Sequence, residues 1–180
     1  MKVIALVGMA GAGKSEVARE FEKAGYARIR FGDITDIEVQ KRGLPLNESN
    51  ERAVREQLHQ THGMSAYARL NIPRIDTALQ KSNVVIDGLY SWEEYLLLKE
   101  HYGHQFQVVA VWSSPAARYA RLVKRGVRPL TPAEGDSRDQ TEIEHINKGG
   151  PIAMADFTLT NDGTLTELIK QTTKVIEKLK

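Results

Sequence analysis

A glycine-rich octet near the amino end of the chain has the composition of a phosphate-binding loop. Residues 8–15 read GMAGAGKS, which fits the pattern G-x-x-x-x-G-K-[ST]. Glycines allow backbone amides to turn inward toward an anion, and the dipole of a following helix attracts negative charge. The Lys14 ammonium would neutralise the β- and γ-phosphates, and the Ser15 hydroxyl would ligate Mg²⁺. The octet therefore predicts binding of a nucleoside triphosphate together with magnesium.

The segments that flank the octet support this interpretation. The apolar run Val3–Val7 comes directly before it, and a helical pattern over residues 16–23 follows it. A phosphate loop requires this order of strand, loop and helix. The alternative interpretation of the octet is a strand-to-helix turn that is rich in glycine for its geometry alone. We expect the nucleotide to be bound by Gly8, Ala10, Gly11, Ala12, Gly13, Lys14, Ser15 and Glu16.

Two aspartates follow predicted strands and would lie at the same edge of the sheet as the loop. Asp87 ends the apolar run at residues 84–86, and Asp33 comes after Phe31 and Gly32. In open α/β sheets, ligands gather at the carboxyl ends of the strands. Asp87 is therefore a candidate to hold Mg²⁺ through water, and Asp33 is a candidate to orient or deprotonate an acceptor group. Each aspartate could instead cap the helix that follows it.

A series of arginines is the third feature with chemical potential. Arg118, Arg121 and Arg125 are three and four residues apart and would share one face of a helix, with Arg128 and Arg138 farther along the chain. Such a face is usually solvated surface. Opposite a phosphate loop, however, guanidinium groups would stabilise the charge that spreads over a transferring phosphoryl group. We expect Arg121, Arg125 and Arg138 to have this role.

Short apolar runs alternate with helical patterns along the whole chain. The runs, each predicted as a strand, cover residues 2–7, 26–31, 83–87, 107–112 and 156–160. Helix starts are indicated by a glutamate three residues after Ser91, Thr131 and Thr164, and by Ser114 before Pro115. This alternation predicts an α/β fold with a parallel sheet. The polar segment at residues 126–150, which has little apolar periodicity, predicts a lid and is named the lid segment below.

Length and composition limit the remaining possibilities. The chain has 180 residues, of which 41% are hydrophobic, and this suits a single domain covering residues 1–180. The net charge of +2 gives no field that would favour nucleic acid or a membrane. Cysteine is absent, which rules out disulfides and a Cys-based zinc site and favours a reducing cytoplasm. The first apolar run is too short for a signal peptide, so we expect a soluble, cytoplasmic protein.

With these motifs in place, the sequence resembles the P-loop nucleotide-kinase superfamily, which includes adenylate kinase and dephospho-coenzyme A kinase. It looks most similar to a small adenylate-kinase-related group. The likeness covers nearly the whole chain, and only the first of its motifs is specific by itself. The motifs read GMAGAGKSEVA, FGD, KRGL, VIDG, ARLVKRG, Arg138-Asp139 and ADFTLTNDGTLTEL.

The resemblance implies an architecture and further site residues. It implies a three-layer α/β/α P-loop NTPase fold with a five-stranded parallel sheet in the order 2-3-1-4-5. Residues 32–64 would carry the acceptor, and the lid segment would close over ATP. Residues 161–163 would lie beside the adenine, which adds Asn161 and Gly163 to the nucleotide site. Arg121 would pack on the adenine, and Arg125 would meet phosphate.

The chain departs from adenylate kinases where those enzymes hold the acceptor's phosphate. They have an arginine where this chain has Asp36, and they have Pro-Arg where it has Leu89-Tyr90. In the related group an arginine also stands at the position of His59. Either the acceptor is not a simple nucleoside monophosphate, or another arginine replaces the missing ones. The candidates are Arg42, Arg52, Arg55 and Arg74.

These features predict a kinase that moves the γ-phosphoryl group of ATP to a small nucleotide-like acceptor, as nucleoside monophosphate kinases do. Transfer to a hydroxyl with Asp33 as the base, similar to dephospho-coenzyme A kinase, is one alternative, although the other signatures of that enzyme are absent. A regulatory ATPase switch read by a protein partner is a second alternative. We expect ATP, Mg²⁺ and the acceptor as ligands, neither nucleic acid nor membrane as a partner, and a monomer or homodimer.

Overall fold

A parallel five-stranded sheet forms the centre of the protein. The computed structural model describes residues 1–126 and 129–179. The strands are β1 (Val3–Val7), β2 (Ala27–Arg30), β3 (Val84–Asp87), β4 (Phe106–Trp112) and β5 (Phe157–Thr160). Their order across the sheet is β2-β3-β1-β4-β5, and all neighbouring pairs are parallel. Each predicted apolar run overlaps a strand, and the order implied by the resemblance is confirmed.

Helices connect the strands and cover both faces of the sheet. They are α1 (Lys14–Lys23), α2 (Asp33–Lys41), α3 (Glu48–His62), α4 (Ala66–Leu79), α5 (Trp92–Tyr102), α6 (Pro115–Val123), α7 (Pro132–Glu144), α8 (Gly149–Ala153) and α9 (Leu165–Lys178). A single 3₁₀ turn, Gly103–Gln105, follows α5. None of the helices in the described ranges has the length and apolar content that spanning a bilayer requires.

Two apolar cores lie on opposite faces of the sheet. All five residues of β1 are buried, with Ile4 and Leu6 packing toward α1 and α9, and Val3, Ala5 and Val7 packing toward the other helices. Burial on both faces explains why this strand appears in the sequence as a continuous apolar run without alternation. The result is the predicted three-layer arrangement of helices, sheet and helices.

The predicted helix starts are confirmed. The side chains of Ser91, Thr131 and Thr164 each accept a hydrogen bond from a backbone N–H three residues later, and each helix has the reciprocal glutamate of a capping box. The Ser114 side chain likewise accepts from the Ala117 N–H at the start of α6. These caps are determined by neighbouring residues, which is why spacing alone is enough to find them.

The end of α6 differs from the prediction. The helix stops at Val123, because the Leu122 carbonyl accepts a hydrogen bond from the Leu130 N–H of a returning chain. Arg125 therefore lies beyond the helix and is exposed, so the prediction that it shares a helical face with Arg118 and Arg121 is wrong. Arg128 lies outside the described residues.

The lid segment contains α7 and the start of α8. Three of its buried side chains are charged, namely Asp139, Glu142 and Lys148. A helix that buries carboxylates and ammonium groups has no apolar period, and this explains the absence of such a pattern in the sequence. These charges lie close to the phosphate loop.

Candidate active site

The phosphate loop, residues 8–15, joins β1 to α1 at the carboxyl edge of the sheet. Gly8 and Gly13 have φ angles of 149° and 104°, which L side chains rarely adopt. A Cβ on Gly8 would collide with the Val111 carbonyl oxygen, and a Cβ on Gly13 would collide with the Asn161 side-chain amide. Glycine is therefore required at both positions, because the loop packs directly against the ends of β4 and β5.

Lys14 is the first residue of α1, and its ammonium group lies over the loop. Its Nζ donates to the carbonyl oxygens of Gly8 and Met9 at 2.7 and 3.1 Å. Burial, together with repulsion from the nearby Lys148 ammonium, lowers the pKa of Lys14 to about 7. A half-buried ammonium group beside its own loop is suited to receive a phosphate anion.

Two of the predicted nucleotide-binding residues fasten the loop to the rest of the site. Arg121 donates to the Ser113 hydroxyl at 2.9 Å and to the Asn161 carbonyl at 2.5 Å. The Asn161 side chain in turn donates to the Ala12 carbonyl at 2.8 Å. Gly163 lies two residues farther along, exposed in the turn before α9. That these residues also contact adenine stays a prediction.

Arg118 is a positioning residue that the sequence reasoning did not identify. Its guanidinium donates to the carbonyl oxygens of Ala10 and Ser113, both at 3.1 Å. It also makes a buried, bidentate ion pair with Asp139 of α7, at 2.9 and 2.5 Å. Its spacing from Arg121 indicated the shared face correctly, but nothing local to the chain indicated its burial or its partner. Arg118 ties the phosphate loop to the lid segment.

A second charged group in the lid segment surrounds Glu142. One carboxylate oxygen of Glu142 accepts from Lys148 Nζ at 2.7 Å, and the other accepts from Arg138 Nε at 3.1 Å. The Arg138 side chain is half exposed, whereas that of Lys148 is only 2% exposed. Burial raises the pKa of Glu142, but Lys148, Arg138 and Lys14 together hold it below its usual value. Burial lowers the pKa of Lys148. Neither Lys148 nor Glu142 was among the predicted residues.

Asp87 ends β3 and is 9% exposed. One of its carboxylate oxygens accepts from Arg28 of β2, at 2.5 Å from Nη2 and 3.2 Å from Nε. Arg28 also donates to Glu22 of α1 at 2.9 Å. The sequence reasoning missed Arg28, whose one signal was a charged residue within a predicted strand. Arg28 holds the Asp87 carboxylate in place.

The donors predicted for magnesium have suitable chemistry. Ser15 lies in the first turn of α1, and Asp87 lies at the carboxyl end of β3, so both belong to the edge that carries the phosphate loop. Hydroxyl and carboxylate oxygens are the ligands that Mg²⁺ prefers, and the ion usually takes one or two carboxylates with phosphate oxygens and water. The residues present therefore fit this ion.

Asp33 begins α2 and is held by two arginines. Its carboxylate lies 3.3 Å from Arg74 Nη2 and 3.4 Å from Arg30 Nη1. Four arginines were predicted as possible replacements for the missing phosphate-binding arginines, and of these Arg74 lies beside Asp33. Arg42 and Arg52 instead bind exposed side chains of α3, at Gln57 and Glu56 respectively.

Two tyrosine rings lie between the end of β3 and helix α2. Tyr90 lies so close to the end of β3 that a Cβ on Gly88 would be 2.7 Å from its hydroxyl oxygen. Its ring packs edge-on against Tyr67 at 5.8 Å, and Lys148 Nζ lies 5.4 Å from its centroid. The Tyr67 hydroxyl is 2.6 Å from that of Thr35. The Tyr90 phenol therefore lies at the position where the resemblance to adenylate kinases implies an arginine.

Glu94 lies beneath these rings and is completely buried. One carboxylate oxygen accepts from the backbone N–H groups of Tyr90 and Ser91, at 2.8 and 3.4 Å. The other oxygen, Oε1, has no hydrogen-bond partner among the described residues. Burial raises the pKa of Glu94 to about 8, so the group is largely protonated at neutral pH.

Known proteins match most of the chain. Residues 4–144 match a family model described as an AAA domain. UPF0200 proteins of Thermococcus gammatolerans and Thermococcus kodakarensis are 37% and 35% identical to it over 181 residues. These matches cover 98% of this chain and 95% and 97% of the two relatives. The chain belongs to the UPF0200 family of AAA-domain proteins.

Solved structures are similar to this UPF0200 protein over nearly its whole length. TT1252 from Thermus thermophilus superposes with a TM-score of 0.70 at 18% identity and covers 99% of this chain and 98% of its own. A shikimate kinase from Bacteroides thetaiotaomicron has a TM-score of 0.63 at 14% identity, with 99% and 98% covered. A dephospho-CoA kinase from Campylobacter jejuni has a TM-score of 0.59 at 11% identity, with 99% and 97% covered. The predicted P-loop kinase fold is confirmed.

The predicted site residues of the UPF0200 protein fall into two groups. Most belong to the phosphate loop or lie at the sheet edge and lid segment beside it. Two are placed differently: Arg125 is exposed beyond α6, and Glu16 pairs with Arg19 on the surface of α1. The roles assigned to all of these residues stay predictions.

Proposed function

We propose that this UPF0200 protein is an ATP- and Mg²⁺-dependent kinase that transfers the γ-phosphoryl group to a small nucleotide-like acceptor. The observation that carries the proposal is the phosphate loop with the half-buried Lys14 ammonium over it. Solved structures of the same fold that are named as kinases support the reaction class. Arginines and lysines near the loop come from the same chain, so the reaction does not need a partner to supply cations.

Catalysis by such a site consists of positioning and charge neutralisation. The loop amides and Lys14 hold the phosphates, and Arg121, Asn161 and Gly163 form the adenine side. Ser15 and Asp87 hold Mg²⁺, which neutralises phosphate charge when it is bound. Arg138 approaches the transferring group from the lid segment, which also excludes water.

The acceptor binds between residues 32–64 and residues 87–91. Asp33 and its partner Arg74 would contact the acceptor from one side, and Tyr90 would contact it from the other. An acceptor with its own phosphate would take Arg74 from Asp33, because a bidentate guanidinium contact stabilises a phosphate more than a long ion pair does a carboxylate.

Transfer to a hydroxyl is the second candidate, and the position of Tyr90 favours it. A phenol in place of a phosphate-binding arginine suits an acceptor that carries no phosphate at this point. The hydroxyl oxygen would form a bond to the γ-phosphorus while the bond to the β,γ-bridging oxygen breaks. Asp33 would accept the hydroxyl proton, and ADP would leave.

A coupled assay for ADP release tests the proposal. The acceptors are the nucleoside monophosphates, the corresponding nucleosides and dephospho-coenzyme A, each with ATP and MgCl₂. We expect at least one acceptor to raise turnover above the background of ATP hydrolysis.

The matched variants are Lys14→Ala and Lys23→Ala, the latter an exposed residue of the same helix. Lys14→Ala should lower kcat/KM by about 100-fold or more, whereas Lys23→Ala should leave it unchanged. A lack of turnover with every acceptor would contradict the proposed kinase activity. Slow hydrolysis accelerated only by another protein would favour the regulatory switch.

A further inference from the structure

Lys148 is a buried cation for which the proposed mechanism has no use so far. It precedes α8, is 2% exposed, and is bound twice to Glu142, through its backbone N–H to the Glu142 carbonyl at 3.1 Å and through Nζ to the carboxylate. Of the three N–H donors on its ammonium, the described residues account for one. Such a group is costly to bury unless a further anion completes its environment.

The position of Lys148 is at the reacting edge of the sheet. Its Nζ lies 5.4 Å from the centroid of the Tyr90 ring, and that ring lies against Gly88, the residue after Asp87. Lys148 therefore reaches across from the lid segment to the end of β3. This location is between the phosphate loop and the space proposed for the acceptor.

The charges around Lys148 are unbalanced. Lys148 and Arg138 share one carboxylate, that of Glu142, and the field of Lys14 acts on the same carboxylate. The cations Lys148, Arg138 and Lys14 thus lie near two carboxylates, those of Glu142 and Asp87, and electrostatic interactions are strong around the buried members of this group. A phosphoryl group carries more negative charge than a carboxylate and presents three terminal oxygens, so it suits this set of donors better.

We propose that Lys148 is a catalytic residue that binds the transferring phosphoryl group, and that the Glu142 carboxylate binds the Lys148 ammonium until ATP arrives. When the γ-phosphate enters, the Lys148 ammonium exchanges the Glu142 carboxylate for a phosphate oxygen and stabilises the charge that spreads over that group. Lys148 stays protonated throughout and makes no covalent bond. This role rests on the proposed kinase function and gives the lid segment a buried cation for the transferring group.

The test compares MgATP with MgADP binding by calorimetry, together with kcat in the coupled assay. The variants are Lys148→Met, which keeps the apolar stem, Lys148→Arg, which keeps the charge, and Lys124→Met as an exposed control. We expect Lys148→Met to lower kcat by about 100-fold and MgATP affinity by about tenfold, with MgADP affinity within about twofold of the wild type. Lys148→Arg should recover at least about tenfold of the lost kcat, and Lys124→Met should match the wild type.

Two results would overturn the assignment of Lys148. One is a folded Lys148→Met protein whose kcat stays within about threefold of the wild type. The other is an equal loss of MgATP and MgADP affinity, which indicates a role in the fold alone. Melting temperatures measured for every variant separate these cases from simple unfolding.

A second variant decides the question if Lys148→Met does not fold. Glu142→Gln removes the competing charge and keeps an oxygen for Lys148, so MgATP affinity should rise by about threefold or more. Weaker MgATP binding in this variant would contradict the exchange. If the wild type binds MgATP more tightly than MgADP but turns over no acceptor, the kinase proposal fails while the contact with the γ-phosphate stands.

Discussion

The two sides of the site are built differently. On the nucleotide side, the phosphate loop is held by contacts that are already satisfied, through Arg118, Arg121 and Asn161. On the acceptor and lid side, buried ionisable groups have fewer partners within the part of the chain that the structure describes: Glu94 Oε1 has none there, and Lys148 Nζ donates one hydrogen bond. The comparison indicates that the nucleotide side is preformed, whereas the other side is completed by its ligands.

This difference has a physical reason. Positioning a polyphosphate requires a backbone that does not move, and hydrogen bonds to carbonyl oxygens from side chains far along the chain provide that rigidity. Binding a group that arrives, reacts and leaves requires partners that can be exchanged. Groups buried with spare hydrogen-bonding capacity can change partners without leaving a charge unpaired.

Removing the Arg118–Asp139 ion pair, which connects the phosphate loop to the lid segment, should have the largest effect on the free energy of unfolding. Arg118→Met removes the partner of a buried carboxylate and should lower the free energy of unfolding by about 3–5 kcal/mol. Urea unfolding measures this change, with an unchanged m-value as the sign of a purely native-state effect. Arg19→Met, which breaks an exposed pair with Glu16, should cost less than about 1 kcal/mol.

The double variant Arg118→Met with Asp139→Leu sharpens the result. Because both charges are then gone, it should recover at least about half of the loss. A loss below about 1 kcal/mol for Arg118→Met alone would mean that the nucleotide side does not depend on this ion pair.

The Glu94 carboxylate, whose Oε1 has no partner among residues 1–126 and 129–179, predicts a specific pH dependence. Its pKa is raised from 4.5 to about 8 in the folded protein, so the unfolded state releases the proton at lower pH. The stability that this proton contributes is complete below about pH 4.5 and is lost as pH rises toward 8. Glu94→Gln removes this dependence and should be more stable than the wild type by about 2–3 kcal/mol at pH 8, because the wild type has lost the contribution of the proton there. The gain is smaller than the full pKa shift implies, because the Gln amide leaves donors unpaired.

Thermal unfolding of wild type and variant between pH 4 and pH 9 provides the measurement. Glu100→Gln, an exposed residue of the same helix, is the matched control and should follow the wild type at every pH. A constant difference between Glu94→Gln and the wild type across the range would show that the Glu94 carboxyl does not titrate within it.

The smallest effect concerns the packing of the phosphate loop. Gly13→Ala and Gly25→Ala both place a side chain at positive φ, at 104° and 89°. A Cβ at Gly13 also meets the Asn161 amide, whereas a Cβ at Gly25 meets no atom within 4 Å. Both variants should lose about 1–2 kcal/mol from backbone strain.

The contact with Asn161 distinguishes the two glycine variants. Gly13→Ala should lose about 1 kcal/mol more than Gly25→Ala and bind MgATP about tenfold more weakly. Calorimetry with each variant tests this difference. Equal MgATP affinity in the two would mean that the loop adapts, and the nucleotide side would then not be preformed.

Sequence reasoning found the features whose causes are local. The phosphate loop, the capping boxes at Ser91, Thr131 and Thr164, and the buried run of β1 each depend on residues a few positions apart. The strand order came from the resemblance, and the fold confirms it. The end of α6 was predicted wrongly, because the N–H of Leu130 closes it from beyond the helix.

The sequence by itself therefore determined the kind of fold, the position of the phosphate loop and the residue types available for phosphate chemistry. The tertiary structure alone decided which partner each charged side chain contacts. Arg28 pairs with Asp87, 59 residues away, and Arg118 donates to the Ala10 carbonyl, 108 residues away. Lys148 lies against the Tyr90 ring. The physical reason is that electrostatic pairs depend on distance in space, and a charged residue carries no mark in the sequence of whether its side chain ends in water or in the core.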